Sequence, residues 1–279
     1  MKKALCVLLA LSLAMGVAAC TSPQPTNGGS GTPVDGTGSP DLGLLQAGKL
    51  QIGIEIAYPP LEYFADDGVT PTGFDVEMSK AICAALGLEP VFIDTAWDGI
   101  FAGLSTNKYD IVCSAVTMSA ERANDMDFTV PYVENWQAIA IKVGNAPVTE
   151  LAGLNGLKVG YQDATTSTEF LDELIATGQV KCETHPYEKV MQAFDDLRNG
   201  RIDCILTDSV VAAGYVHDEP ETFATSWLQS AESDAVVETF GIAVKKGNQA
   251  LVDALNSALA ELQANGTLDS LKREFALIN

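Results

Sequence analysis

The stretch DIVCSAVTMSAERANDMDFTVPY, Asp110 to Tyr132, opens on an apolar run, Ile111-Val112-Cys113, that reads as a buried strand. Small and hydroxyl residues follow at Ser114, Ala115 and Thr117. Ser119 then has the chemistry of a helix N-cap, with Arg122 in the first turn after it. A strand end, free backbone amides and a guanidinium just past the cap together make an anion site suited to clamping a carboxylate. The chain holds only four arginines, so the setting of this one carries weight, although the stretch by itself would also suit a solvated surface charge.

Outward from this strand the elements alternate. Leu50–Ile54 is predicted as a strand, Asp75–Leu86 as a helix stopped by Gly87, Val91–Ile93 as a strand and residues 99–104 as a short helix. With Ile111–Cys113 the order is βαβαβ, which predicts a mostly parallel sheet. The pattern recurs as strand Leu157–Tyr161, helix Ser167–Ala176, strand Val180–Glu183, helix Glu188–Asn199 and strand Ile202–Leu206. Thr166 and Glu169 have capping-box spacing at the first of these helices. A strand at Gly241–Val244 and a helix striped by Leu251, Leu255, Leu259 and Leu262, ended by Gly266, close the chain. Two α/β units joined near Tyr132–Gln137 predict two lobes with a cleft between them.

The N-terminus has a different character. Lys2 and Lys3 precede an apolar run that ends Val17-Ala18-Ala19-Cys20, the form of a secretory signal peptide (residues 1–19) with a lipobox. Cys20 is then the expected lipidation site, its thiol carrying a diacylglyceryl group with palmitate-like chains. Residues 20–40 continue as the lipidated cysteine and a Gly/Pro/Ser/Thr-rich tether, whose reach is about 25 Å for roughly 20 residues. The apolar run is too short to span a bilayer, so the mature chain is expected to meet the membrane through its lipid anchor only. That places it outside the cytoplasm, on the outer face of the cell membrane, or on the periplasmic side where an outer membrane exists.

Without Lys2 and Lys3 the chain carries 14 basic against 37 acidic residues, a formal charge of −23. Such a balance argues against nucleic acid and against electrostatic docking on anionic lipid. Cys83, Cys113, Cys182 and Cys204 lack metal-ligand spacing and sit in apolar contexts, which favours buried free thiols, although an exported chain could oxidise a pair. No metal or other cofactor is expected. Gly43–Lys49 imitates the start of a P-loop, but Leu50 occupies the place of its Ser/Thr. His185 and His217 are the only histidines and no Gly-x-Ser-x-Gly occurs, which gives a hydrolase triad little support.

Several motifs in order resemble one family: Tyr58-Pro-Pro-Leu-Glu-Tyr63, Gly73-Phe-Asp-Val-Glu77, Trp97-Asp-Gly-Ile100, the opening stretch, Gly160-Tyr-Gln-Asp-Ala-Thr-Thr-Ser167, Gly200–Asp208 and Phe240-Gly-Ile-Ala243. From about Leu50 to Phe275 the chain is similar to the polar amino-acid solute-binding proteins of ABC importers, family 3. The resemblance implies a two-lobe α/β fold of the type II periplasmic-binding kind with two hinge-crossing strands. Lobe 1 would comprise residues 41–134 and 240–279, and lobe 2 residues 135–239. By matching position, Arg122 would pair a ligand α-carboxylate, aided by the backbone amides of Thr117 and Thr166. Asp208 would accept the α-ammonium, with the Thr117 hydroxyl and the Ala115 carbonyl sharing it. Tyr58 and Trp97 would flank the ligand side chain, and Glu55 with Gln162 would read its polarity, favouring a polar or cationic side chain. Ala164 and Ala115 stand where the family often has Gly and Gly or Ser.

These expectations describe a monomeric, non-enzymatic lipoprotein that captures a free amino acid by lobe closure and delivers it to a permease and its ATPase. The alternatives on the same scaffold are a dehydratase-like enzyme, with Glu55 as general acid, and an amino-acid sensor subunit.

Overall fold

The computed structural model describes residues 41–229 and 237–278. The expected signal peptide, the expected lipidation site Cys20 and the expected tether lie outside these residues. The first part of the chain gives strands β1 (Lys49–Ile54), β2 (Tyr63–Phe64) and β3 (Pro71–Thr72), helix α1 (Phe74–Leu86), β4 (Glu89–Asp94), α2 (Trp97–Ser105), β5 (Ile111–Val112), α3 (Arg122–Asp125) and β6 (Met126–Phe128). After β7 (Val133–Asn135) come β8 (Gln137–Lys142), β9 (Lys158–Gln162), α4 (Thr166–Ala176), β10 (Glu183–Tyr187), α5 (Val190–Arg198), β11 (Cys204–Asp208), α6 (Ser209–Asp218) and β12 (Phe223–Leu228). The chain returns through β13 (Glu238–Phe240) and β14 (Ala243–Lys245) and ends in α7 (Gln249–Ala264) and α8 (Thr267–Glu274).

Two five-stranded sheets result, ordered β4-β1-β5-β14-β6 and β10-β9-β11-β8-β12. Each is parallel through its first three strands and antiparallel through the rest. The mostly parallel sheet expected from the βαβαβ order is thus only half right. Each sheet takes in a strand that follows a chain crossing, and that strand enters from the opposite end. The crossings are β7 and β13, which pair antiparallel with Asn135 opposite Glu238.

Local chemistry explains the boundaries. Gly87 adopts a left-handed φ of 67°, and the Leu88 N–H turns back to the Cys83 carbonyl, so α1 stops there. The capping box of α4 belongs to Thr165 and Thr168, not to Thr166 and Glu169. The strand expected at Val180–Glu183 starts only at Glu183: the Gln179 and Val180 amides are taken by the Leu174 carbonyl at the end of α4, and Glu183 is the first to pair with Leu157. Pro186 is tolerated in this strand because β10 lies at the sheet edge. Gly266 caps α8, a helix that periodicity alone did not announce.

The core of the first sheet joins Leu50, Ile52, Phe74, Met78 and Ile82 to Leu251, Leu255 and Leu259 of α7, so the C-terminal segment completes that layer. In the second sheet, Ile139, Val159, Leu171, Leu174 and Leu206 pack beneath α4. Cys83, Cys113 and Cys204 are buried, Cys182 is half-buried, and all four are free thiols.

Candidate ligand cleft

The ends of β1, β5, β9 and β11 converge on a cleft between the two sheets. Its lining is Glu55, Tyr58, Glu62, Trp97, Ser114, Ala115, Thr117, Arg122, Gln162, Thr165, Thr166 and Asp208, around a space of about 310 Å³. All nine residues singled out from the sequence therefore meet here. Glu62 and Thr165 were not singled out from the sequence, and Ser114 was noted only as part of the strand end.

Arg122 stands at one end. Its backbone N–H donates to the Ser119 Oγ at 3.2 Å, although α3 is a single turn with Glu121, not Ser119, at its N-cap position. The guanidinium donates to the Thr117 carbonyl at 3.1 Å and lies over the Trp97 and Phe101 rings, 5.4 and 5.1 Å from their centroids. Aromatic faces hold the planar fork in one orientation while leaving its other donors free. Burial lowers its affinity for its proton, and the charges of Glu169, Asp208 and Glu238 oppose that shift. Thr166 opens α4, so its N–H precedes the first intrahelical bond and is available to an anion.

Asp208 stands at another end, where β11 passes into α6. Tyr58 donates its hydroxyl to Oδ2 at 2.6 Å and Asn135 donates Nδ2 to Oδ1 at 2.6 Å. Behind it, Glu238 of β13 accepts from Asn135 at 3.1 Å and from Gln137 at 3.1 Å. Burial, with repulsion from Glu238, pushes Asp208 up to about 7, against the bonds from Tyr58 and Asn135 and the Arg122 charge. Sequence reading missed Glu238; its only signal is an acid on the second crossing strand, directly opposite Asn135.

The third wall carries Glu55. Gln162 donates to its Oε2 at 2.6 Å from the opposite sheet, and the Trp97 amide donates to Oε1 at 3.3 Å. Burial raises its pKa. Beneath it, Ser114 Oγ accepts the Glu55 amide and donates to Glu62, while Asp75 accepts the Ala115 amide at 2.8 Å and the Tyr132 hydroxyl at 2.7 Å. Those bonds hold Ala115 at φ 47°, and Ala164 sits at φ 57°, so alanine occupies left-handed backbone at both positions. Ala164 turns its carbonyl to Trp97 Nε1 at 2.8 Å, a bond between the lobes.

Three buried acids, Glu55, Glu62 and Asp208, thus line the cleft, with half-buried Glu238 behind Asp208, against the guanidinium of Arg122. A ligand with one carboxylate and more than one positive group complements that field. His185 pairs with Glu183 on β10, His217 lies in α6, and neither lines the cleft. Among the described residues no group of three or more His, Cys, Asp or Glu could hold a metal, and no helix is long and apolar enough to cross a membrane.

Residues 50–277 match the family described as bacterial extracellular solute-binding proteins, family 3. The L-cystine-binding protein TcyJ of Escherichia coli (strain K12) is 35% identical over 240 residues, 84% of this chain and 86% of its own length. ABC transporter arginine-binding protein 1 of the same organism is 30% identical over 234 residues, 84% of this chain and 93% of its own. Among solved structures, an ancestral arginine-binding protein bound to arginine superposes with a TM-score of 0.74 at 34% identity, covering 82% of this chain and 98% of that one.

Proposed function

The chain belongs to the bacterial extracellular solute-binding proteins, family 3, and from that premise we propose that it captures a free amino acid with a polar or cationic side chain and delivers it to an ABC importer. The observation that carries this is the pairing of Arg122 and Asp208 on one buried cleft, a donor fork and a carboxylate contributed by different sheets. A zwitterion needs both: the fork takes the α-carboxylate and Asp208 the α-ammonium. Thr117, Thr166 and the Ala115 carbonyl complete that grip, and Tyr58, Trp97, Glu55 and Gln162 surround the side chain. Relatives named for cystine and arginine support a ligand with a second charged or polar end.

The ligand touches both lobes, so it favours the closed form by its differential affinity. In this reading lobe 1 comprises residues 41–134 and 240–279, and lobe 2 residues 135–239. The chain acts as a non-enzymatic monomer held outside the cytoplasm by lipid on Cys20, with a permease and its ATPase as partners.

Thermal unfolding of residues 41–279 against the twenty amino acids, cystine and ornithine tests the reading. A ligand that binds only the folded state raises the midpoint with concentration. The largest shift is expected with arginine, lysine, ornithine or histidine; no shift with any of the compounds would remove the amino-acid assignment.

A further inference from the structure

The turn that carries Tyr58 also packs against the other lobe. Tyr58 N donates to the Glu62 carbonyl at 2.7 Å, and the turn is tied to α1 through Phe74 N to Pro60 O at 3.1 Å and Asp75 N to Leu61 O at 2.9 Å. Pro60, on this lobe 1 turn, lies against Gly214 in α6 of lobe 2. A Cβ at position 214 would stand 2.6 Å from Pro60 Cδ, 3.0 Å from Cγ and 3.5 Å from Cβ. The first distance is far inside contact and the last is ordinary. Gly214 has no left-handed backbone to explain it, and it sits inside a ten-residue helix, where glycine is a poor former.

The geometry points to Gly214 as a positioning residue for lobe closure: its missing side chain lets the Pro59-Pro60 turn seat on α6, and that seat sets Tyr58 against Asp208. Asp208 begins the same helix, about 9 Å along its axis from Gly214. A displaced turn therefore moves the Tyr58 hydroxyl away from the carboxylate that takes the ammonium. Gly214 does not line the cleft. This inference rests on the binding function proposed above.

Gly214→Ala separates the two effects a glycine can have. Alanine is the better helix former, so the variant folds, and its ligand-free unfolding midpoint stays at or above that of the parent. The added methyl meets Pro60 in the form the structure shows, with Tyr58 against Asp208. Amino-acid affinity falls about tenfold, through faster dissociation with association nearly unchanged. Ala213→Leu, which enlarges the neighbouring exposed position of the same helix, serves as the control and changes affinity by less than about twofold.

Parental affinity in Gly214→Ala, or a loss of the same size in Ala213→Leu, overturns the inference. Small-angle scattering reads closure without a ligand. Should no amino acid bind the parent, the proposed function fails, while the contact stands if Gly214→Ala alone is more extended than the parent and Ala213→Leu, and falls if all three scatter alike.

Discussion

The Tyr58 hydroxyl reaches across the cleft and donates to the Asp208 carboxylate at 2.6 Å, so the group proposed to hold the ligand ammonium already has a partner from the other lobe. Burial and Glu238 push this carboxyl up to about 7. An ammonium arriving beside it favours the ionised form, so binding and proton release are linked.

The pH dependence follows with opposite signs for stability and affinity. Asp208 is raised from 3.8 to about 7 on folding, so its contribution to ligand-free stability is fully present below the unfolded value and is lost as pH rises through about 7. Asp75, raised to about 6, acts in the same direction. Ligand affinity instead weakens as pH falls below about 7, and calorimetry in two buffers of different ionisation enthalpy should register protons released near neutrality. Affinity that stays level from about pH 8 to about pH 5 would show that Asp208 does not meet the ammonium.

Arg122→Ala leaves the ligand carboxylate unpaired in a buried site and costs about 2–5 kcal/mol of binding. Arg122→Lys keeps the charge but loses the planar fork that lies over Trp97 and Phe101, and it should recover only part of the loss. Titration calorimetry on both variants separates charge from geometry. Unchanged affinity in the alanine variant would take Arg122 out of the site.

Trp97→Phe retains an aromatic wall and deletes the indole donor to the Ala164 carbonyl. One hydrogen bond between lobes contributes about 0.5–1.5 kcal/mol, which corresponds to roughly 2- to 12-fold faster ligand dissociation. Stopped-flow release should show it in the off-rate, with the on-rate held. A slower on-rate alone would mean that the bond forms before the ligand enters.

What was legible in the sequence follows the range of the physics behind it. Apolar periodicity and caps located α1, α4 and α7, because burial on one face and backbone capping act within a few residues. Arg122 was legible because its strand end, cap and guanidinium are contiguous. Sheet polarity beyond the third strand was not, since β8 and β14 join their sheets after the chain has crossed between lobes. Glu238 and Gly214 were invisible for the same reason: one acts through Asn135 and Gln137, the other through Pro60, all distant in sequence. Val180 misled because its buried apolar side chain belongs to the turn after α4 rather than to β10.

Glu55 is where ligand choice is expected to be read. Its carboxylate is buried, raised in pKa by that burial, and bonded to Gln162 and to the Trp97 amide. A cationic side chain arriving there offsets the desolvation and finds a charged partner, whereas a neutral amide gains only a hydrogen bond. Glu55→Gln removes the charge while keeping the shape and an acceptor for Gln162. Arginine or lysine affinity should drop about 30-fold or more, from the roughly 2 kcal/mol lower bound for deleting one partner of a buried charge pair. Affinity for glutamine should change by less than about threefold. The ligand-free protein should also become more stable near neutral pH, because a buried acid is no longer desolvated in an acid-rich cleft. Parallel titrations of the two ligand types give the ratio directly. Equal losses for cationic and neutral ligands would assign Glu55 to holding the lobes together through Gln162, with the side-chain preference set elsewhere in the cleft.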